Sequence, residues 1–314
     1  MRVAVIGAGA IGLSIAWRLL QRGARVDVYE RDSVGRGATW ASAGLLAATA
    51  GHGGPAGSPL DAAEAASLGA AFDAWRAAGD EAQRWLGHDE VAAREPALAD
   101  TVVAARFCPD DRQVDARRLV AALAEAVRRA GGAIHEHADV DVDALDADVV
   151  VLAAGAWSAH VRGAPPVPVR PLKGQMIALQ MTEPVLRHVV FAPDAYLVPR
   201  DSGRLLVGAT VEERGYDVTV TDDAVRALRE AAARAVPGLA DAPLLDAWAG
   251  LRPATPDGAP IFDRVADGLI VAAGHGRNGI LLTPITAEVI AALALDGAVP
   301  AWARGWGFGA GRFA

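Results

Sequence analysis

The hydrophobic positions of the first thirty residues predict a strand, a helix and a second strand in direct succession. Residues 2–6 are a short β-branched run, residues 13–22 have apolar positions at helical spacing, and residues 24–29 form another apolar run that ends at Glu30. This change of period is typical of a β-α-β unit, whose two strands are parallel neighbours. The chain therefore begins with a parallel-sheet unit.

Similar patterns return later in the chain. The predicted elements are a helix over 115–130 with Asp115 as its N-cap, strands at 133–135, near Val140 and at 148–153, a strand over 268–273, and a helix over 286–295. The uninterrupted apolar runs are typical of parallel strands buried on both faces. We expect the chain to leave a parallel-sheet domain and to return to it near its end.

The middle of the chain changes character after the proline-rich segment 165–171. The predicted elements there are strands over 173–181, 189–199 and 204–210, a turn at 201–203, and a helix over 222–236 that turns Val225, Leu228 and Val236 inward. Closely spaced strands joined by short turns indicate an antiparallel sheet. Earlier, residues 51–60 have the composition of a flexible loop, and a helix is predicted over 62–86, with Leu68, Phe72, Trp75 and Leu86 in the core.

These elements predict an α/β plus α+β fold, in which a Rossmann-like domain carries a second, mostly antiparallel-sheet domain as an insertion. The predicted boundaries of the Rossmann-like domain are 1–75, 105–165 and 250–314. The predicted boundaries of the inserted domain are 76–104 and 166–249. A chain of 314 residues with 52% hydrophobic residues has enough apolar surface for both cores.

Composition excludes several classes of function. A net charge of −8 without a basic run argues against nucleic-acid binding. The single cysteine, Cys108, excludes an internal disulfide, and His135 and His137, expected on one strand face, have no third metal ligand near them in sequence, so we expect no metal site. We also expect no signal peptide and no apolar run of membrane-spanning length, and therefore a cytoplasmic protein.

The glycines of the opening unit are spaced for a dinucleotide. Gly7, Gly9 and Gly12 form G-x-G-x-x-G between the first strand and the helix. They permit a tight turn, close approach of a pyrophosphate and close helix–strand packing, while the helix N-terminus attracts the phosphates. Glu30 ends the second strand, where its carboxylate can accept hydrogen bonds from a ribose and would repel the 2′-phosphate of NADP. The unit alone leaves FAD and NAD open, and an ordinary β-α turn is the alternative.

Further along, small residues and two arginines mark candidate binding positions. Ala38, Thr39 and residues 43–45 suit contact with a planar ring, or simple packing of a loop on a helix. Arg252 suits a carboxylate ligand, with a structural salt bridge as the alternative. The Tyr196 hydroxyl faces the end of Arg252 or belongs to a buried core tyrosine, and Arg277 with Asn278 faces a ligand or caps a helix.

Six segments together resemble the D-amino-acid oxidase superfamily, and most closely its glycine oxidase branch associated with thiamine thiazole synthesis. They are GAGAIGLSIAWRL with Glu30, GATWASAGLLA, DVVVLAAGAWS, YLVPRDSGRLLVGATVEERGYD, WAGLRPATPDGAPI and AAGHGRNGILLTP. The resemblance covers most of the chain and implies non-covalent FAD, so the Rossmann-like domain becomes an FAD-binding domain and the inserted domain a substrate domain. It is weakest at residues 50–110 and 133–147.

The resemblance also implies site residues. Arg252, Arg277 and Tyr196 would bind the substrate. FAD would contact Gly7, Gly9, Ala10, Ile11, Gly12, Glu30, Arg31, Ala38, Thr39, Ala43, Gly44, Leu45, Val140, Gly155, His275, Gly276, Arg277, Asn278, Gly279, Ile280 and Leu281. Three departures from the family pattern are Asp194, Asp263 and Gly276, of which Gly276 stands where an aromatic residue is usual and is expected to widen the pocket.

The implied function is FAD-dependent oxidation of glycine or of another small amino acid or N-alkyl glycine. The products would be an oxo acid, ammonia or an amine, and hydrogen peroxide, with the small amino acid and O₂ as the partners. No side chain is singled out as a catalytic base. Two alternatives stay open: a D-amino-acid or sarcosine dehydrogenase that uses another electron acceptor, and a non-catalytic flavoprotein. A homo-oligomer is possible from the sequence, which does not define the oligomeric state.

Overall fold

Two sheets organise the chain. The structure, a computed structural model, describes residues 1–47, 73, 82–181 and 183–313. The strands are β1 (Arg2–Ile6), β2 (Arg25–Tyr29), β3 (Leu45–Leu46), β4 (Arg84–Gly87), β5 (Ala104–Phe107), β6 (Arg112–Gln113), β7 (Ala133–His135), β8 (Val149–Leu152), β9 (Arg170–Gln180), β10 (Val190–Phe191), β11 (Tyr196–Pro199), β12 (Arg204–Gly208), β13 (Leu244–Ala254), β14 (Ile261–Ala266) and β15 (Leu269–Ala273). The α-helices of this part of the chain are α1 (Ala10–Gln21), α2 (Ala38–Ala41), α3 (His88–Arg94), α4 (Ala116–Arg129), α5 (Asp222–Ala235) and α6 (Gly279–Leu295).

The first sheet has the strand order β14-β15-β8-β1-β2-β7. All neighbours pair in parallel except β14, which pairs antiparallel with β15 at one edge. Helices α1, α4 and α6 contribute their buried alanine, leucine, isoleucine and valine side chains to one core with the sheet. The chain leaves this sheet after β8 and returns at β14, as the hydrophobic pattern predicts.

The second sheet is antiparallel throughout and has the order β10-β11-β12-β9-β13. Alternate residues of its strands belong to two different clusters because side chains point to opposite faces of a strand. Ile177 and Leu179 pack with helix α5, whereas Met176 and Ala178 pack with Ala41 and Ala43 of the first domain. The predicted α/β plus α+β architecture is confirmed, and one face of the antiparallel sheet lies against the end of α2 and the segment that follows it.

Several sequence predictions need correction. The strand predicted over 189–199 is a hairpin of β10 and β11, and the strand predicted near Val140 is absent, because residues 142–144 form a 3₁₀ turn and only Asp141 forms an isolated bridge. Strand β7 ends at His135, and His137 has φ of 56°, so the two histidines do not share a strand face. Leu86 lies in β4 rather than in a helix.

The remaining predictions concern residues 51–86 and the domain boundaries. The 51–60 loop and most of the helix predicted over 62–86, with Leu68, Phe72 and Trp75, lie outside the described residues. The predicted domain boundary at residue 250 falls inside β13, which pairs with β9 from Leu244 to Ala254. The other domain boundaries stay predictions.

Helix α6 begins seven residues before its predicted start at Thr286. Pro284 reads as a helix breaker in the sequence but lies inside the helix, where the Thr283 hydroxyl donates to the Gly279 carbonyl at 2.7 Å. The stretch Gly276–Leu295 has a mean hydropathy of 1.6 and is long and apolar enough to cross a membrane. The expectation that no run approaches that length is therefore wrong for this stretch, although many of its residues are buried in the core against α1 and the parallel sheet.

The contact between β1, its turn and α1 depends on the absence of a side chain at Gly12. A Cβ at this position would lie 1.9 Å from the Gly7 carbonyl oxygen. We expect Gly12→Ala to lower the free energy of unfolding by roughly 1–3 kcal/mol, because the helix must move away from the strand. Urea unfolding measures the change. Gly238→Ala is the control, since a Cβ there meets no atom within 4 Å, and equal midpoints for the two variants would contradict the prediction.

Candidate functional site

The glycine turn after β1 has the geometry that dinucleotide binding requires. Gly7 has φ of 108°, and a Cβ there would lie 2.5 Å from the Ala153 carbonyl oxygen, so only glycine fits beside β8. At Gly9 an added Cβ would meet only the Thr39 hydroxyl, at 3.3 Å. The backbone at Gly9 is thus open to a ligand at the N-terminus of α1, where N–H groups favour phosphate.

Glu30 and Thr39 organise the rim of this turn. The Glu30 carboxylate accepts hydrogen bonds from the Ala8 N–H at 2.8 Å and the Asp32 N–H at 3.1 Å. The Thr39 hydroxyl accepts from the Ala10 N–H at 3.0 Å. The end of β2 and the start of α2 therefore meet at the N-terminus of α1, as the predicted cofactor contacts require.

The segment after α2 lies between the two domains. Gly44 has φ of 70°, and a Cβ there would lie 1.8 Å from the Val114 carbonyl oxygen. Leu45 pairs with Gln113 in the β3–β6 ladder. Ala43 is buried together with residues of the antiparallel sheet. This packing places residues 43–45 at the boundary between the predicted cofactor and substrate domains.

The turn after β15 forms a second glycine-lined element. Gly276 has φ of 55° with no atom within 4 Å of an added Cβ, and Gly155, after β8, is open in the same way. His275 bridges to Ala254, so this turn lies beside the end of β13. Both open glycines follow strands of the parallel sheet at its carboxyl edge, the usual ligand-binding edge of such sheets.

Arg252 is held by main-chain atoms of the antiparallel sheet. Its Nη1 donates to the carbonyl oxygens of Thr210 at 3.1 Å and Lys173 at 3.3 Å. The guanidinium lies flat on Gly174, where an added Cβ would come within 2.3 Å of Nη1. Among the described residues no carboxylate forms an ion pair with Arg252, which argues against the structural salt bridge considered above.

The structure brings Tyr196 and Arg252 together. The Tyr196 ring packs on Gly208, and its hydroxyl lies 3.6 Å from the Met176 sulfur. Burial raises the pKa of the Tyr196 phenol, and the nearby Arg252 charge opposes part of that rise. The hydroxyl is therefore protonated at neutral pH and acts as a hydrogen-bond donor.

An ion pair between a buried lysine and an exposed aspartate lies next to the carbonyl groups that hold Arg252. Lys173 is 1% exposed and its Nζ donates to Asp217 at 2.7 Å. The main chain of Lys173 also exchanges both hydrogen bonds with Glu212, which follows Thr210 by two residues. Desolvation would raise the pKa of Glu212, but hydrogen bonds from Thr210 and Gln175 and the Lys173 charge lower it overall. The loop from Thr210 to Asp217 is thus fixed to β9 at both ends.

The remaining predicted residues take varied places. Arg277 and Arg31 are exposed, and the Arg31 guanidinium lies 4.1 Å from the centre of the Trp157 ring. Ile280 is buried in the core, Val140 packs below the parallel sheet, and Ala10, Ile11, Ala38, Asn278, Gly279 and Leu281 line the turns around α1, α2 and α6. Their contacts with a cofactor stay predictions.

Two departures from the family pattern have a structural role away from the site. The exposed Asp194 forms an ion pair with Arg234 of α5. Asp263 accepts a hydrogen bond from the Ala310 N–H at 2.7 Å and so holds the C-terminal turn. Neither carboxylate therefore takes part in the contacts around Arg252.

Sequence reasoning missed several residues of the site. The sequence pattern assigns four of them only to predicted strands and gives them no part in binding: Met176, Thr210, Lys173 and Trp248. Trp248 alone carried a usable signal, because it precedes Arg252 by four positions on one strand and therefore points to the same face.

The chain is similar to a known protein family, to individual relatives and to a solved structure. The family model DAO, described as FAD dependent oxidoreductase, matches residues 2–65 and 58–293. The glycine oxidase of Geobacillus kaustophilus is 34% identical over 93% of this chain and 92% of its own, and a crystal structure of glycine oxidase from that organism matches with a TM-score of 0.86 at 32% identity over 96% of each chain. The bifunctional protein ThiO/ThiG of Synechocystis is 36% identical over 94% of this chain, which spans about half of that relative (51%).

His275 generates a prediction of pH-dependent stability. It is 3% exposed, its Nε2 lies 3.1 Å from the Thr286 hydroxyl, and burial lowers its pKa from 6.5 to about 3. Below pH 6.5 the unfolded chain binds a proton that the folded chain rejects, so the free energy of unfolding decreases by about 1.4 kcal/mol per pH unit until the folded pKa is reached.

We expect His275→Gln to lose less stability than the unsubstituted protein between pH 6.5 and 4.5, by about 2 kcal/mol. Urea unfolding at a series of pH values measures this difference. The exposed His160→Gln serves as a matched control. Parallel pH profiles for His275→Gln and the unsubstituted protein would show that His275 does not contribute to the acid sensitivity.

Proposed function

The chain belongs to the DAO family of FAD-dependent oxidoreductases, and within that family we propose that it oxidises glycine or another small amino acid or N-alkyl glycine to an oxo acid, ammonia or an amine, and hydrogen peroxide. Similarity to glycine oxidase over nearly the whole length of both chains supports this substrate class. The structural observation that carries the proposal is the guanidinium of Arg252, which has no acidic partner in the described part of the chain. A half-buried cation of this kind is suited to a carboxylate ligand.

The residues around both glycine turns fit FAD. Gly7, Gly9 and Gly12 would admit the pyrophosphate, Glu30 would bind the ribose, and the turns at Gly155 and Gly276 leave space where any other residue would project a side chain. When bound, FAD supplies a two-electron acceptor that O₂ reoxidises to its starting state with formation of hydrogen peroxide. We propose a non-covalent complex, because Cys108 follows β5 and lies outside all of these turns.

The protein contributes orientation more than acid–base chemistry. Arg252 would bind the substrate carboxylate and so fix the direction of the Cα–H bond. Tyr196 stays protonated because burial raises its pKa, and it would donate a hydrogen bond in the same pocket without accepting the substrate proton. Arg277 would assist from the turn after β15. The substrate amine would then be neutral when it reacts, since none of the described side chains around Arg252 and Tyr196 is placed to remove its proton.

The similarity to ThiO/ThiG supports a role in thiamine thiazole synthesis. The chain corresponds to about half of that bifunctional relative, so the proposal concerns the oxidase reaction and not the activity of the other half. We further propose that the protein acts in the cytoplasm with the small amino acid and O₂ as its partners.

Anaerobic mixing with glycine, sarcosine and D-alanine tests the function directly. We expect at least one of them to remove the visible absorbance of oxidised flavin, and admission of air to restore it with formation of peroxide. Reduction of an artificial dye without peroxide would indicate a dehydrogenase instead. Flavin absorbance unchanged by all three compounds would contradict oxidation of small amino acids and favour a non-catalytic flavoprotein.

Arg252→Met tests the carboxylate role. We expect the KM for the amino acid to increase about a hundredfold, because the variant loses a charge-assisted hydrogen bond in a partly desolvated site, an effect of about 2–5 kcal/mol. Steady-state kinetics measure KM, and the flavin content of the purified protein measures FAD binding, which we expect to stay the same. Arg226→Met on the exposed face of α5 is the control. An unchanged KM in Arg252→Met would exclude the proposed role.

A further inference from the structure

Three side chains from other parts of the chain donate hydrogen bonds to the main chain at the end of α2 and in the segment that follows it. The Trp248 Nε1 donates to the Ala41 carbonyl at 3.0 Å, Arg200 Nη2 to the Ala43 carbonyl at 2.6 Å, and Arg117 Nε to the Trp40 carbonyl at 3.2 Å. With these carbonyl groups occupied, the path of the main chain into residues 43–45 is fixed. Those are the residues predicted to contact the flavin.

Trp248 differs from Arg117 and Arg200 because it lies on the same strand as Arg252, the residue proposed to bind the substrate. In β13, Trp248, Gly250 and Arg252 alternate along one face. A Cβ on Gly250 would lie 2.3 Å from the Ala41 Cβ, so the strand touches the segment at Gly250 as well as at Trp248. Arg252 lies on Gly174, which is the partner of Gly250 on β9. One face of β13 therefore contacts Ala41, next to the residues predicted to contact the flavin, and also carries Arg252, the residue proposed to bind the substrate.

The indole of Trp248 is itself fixed. It is 5% exposed, its ring meets the Trp40 ring edge-on at 6.1 Å, and the Arg117 guanidinium lies 5.1 Å from its centre. Buried Trp N–H groups need an acceptor. The Ala41 carbonyl provides it at 3.0 Å.

We propose that Trp248 is a positioning residue that holds the segment of residues 41–45, and with it the flavin, in register with the substrate bound at Arg252. This inference rests on the proposed function. Transfer between two bound molecules depends steeply on their separation and alignment. Strand β13 carries Arg252 and donates through Trp248 to the Ala41 carbonyl, so Trp248 sets that alignment without itself touching the substrate or the flavin.

Trp248→Phe tests the proposal because it keeps the aromatic ring and removes only the N–H donor. We expect kcat to fall about tenfold, since a displacement of about 1 Å in such a site can cost about a hundredfold. The KM for the amino acid should change less than twofold, because the contacts of Arg252 are untouched. The apoprotein should bind FAD several-fold more weakly, and the visible circular dichroism of the bound flavin should change.

Gly250→Ala provides a second route to the same displacement. Its methyl group would collide with Ala41 while Trp248 is unchanged. We therefore again expect a decrease in kcat of about tenfold with a change in KM of less than twofold. This variant carries the test if Trp248→Phe does not fold. Trp302→Phe, on an indole that is 52% exposed, is the matched control and should behave like the unsubstituted protein.

The outcomes separate this inference from the proposed function. If kcat is unchanged while only thermal stability falls, or if KM changes more than kcat, Trp248 is not a positioning residue. If no amino acid reduces the flavin in any form of the protein, the proposed function fails, and FAD affinity and flavin circular dichroism still test the inference. If the FAD affinity and the flavin circular dichroism of Trp248→Phe and Gly250→Ala equalled those of the unsubstituted protein, the inference about Trp248 would be overturned.

Discussion

The arrangement of the site depends on close approach of backbones at positions without a side chain. At Gly12 the first helix touches the turn of Gly7, at Gly250 strand β13 touches Ala41, and at Gly174 the strand β9 leaves room for the Arg252 guanidinium. Each of these contacts would be occupied by a Cβ in any other residue. Small residues therefore bring three layers together: the nucleotide turn, the segment after α2, and the antiparallel sheet. The chemistry proposed here requires those layers to be adjacent.

Buried charge is tolerated where the backbone or a single partner compensates it. Lys173 has Asp217, and Arg200 donates to a carbonyl and to Gln113 while burial lowers its pKa. His275 is buried in the neutral form beside Thr286. Arg252 resembles Arg200, since both donate to neutral oxygen atoms, and the carbonyl groups of Lys173 and Thr210 orient the Arg252 guanidinium without neutralising its charge.

Sequence patterns predict the local parts of this structure well and the distant contacts poorly. The β-α-β unit, helix α4 with its Asp115 cap and the buried strand β8 all follow from residues that are neighbours in the chain. The hairpin of β10 and β11 was predicted as one strand because both halves are apolar, although Pro193 and Asp194 between them are residues typical of a turn. The start of α6 was predicted too late because Pro284 has no N–H to donate and on average interrupts a helix, whereas here the helix runs through it from Gly279 to Leu295. The roles of Met176 and Lys173 arise only after β9 pairs with β12 and β13, which no local pattern encodes.

The proposed cofactor contacts come from residues that are close in sequence, whereas the proposed substrate contacts come from residues that are far apart. The residues expected at the pyrophosphate and ribose come from one continuous unit of thirty residues, so each of them is constrained by its neighbours in the chain. The proposed substrate pocket takes Tyr196 from β11, Arg252 from β13 and the supporting carbonyl groups from β9 and the loop after β12. Its geometry therefore depends on the register of an antiparallel sheet, where a slip by one residue would turn Trp248 and Arg252 to the opposite face. That register also sets which residue of β13 meets the first domain, because the Trp248 N–H donates to the Ala41 carbonyl only when the indole lies on this face.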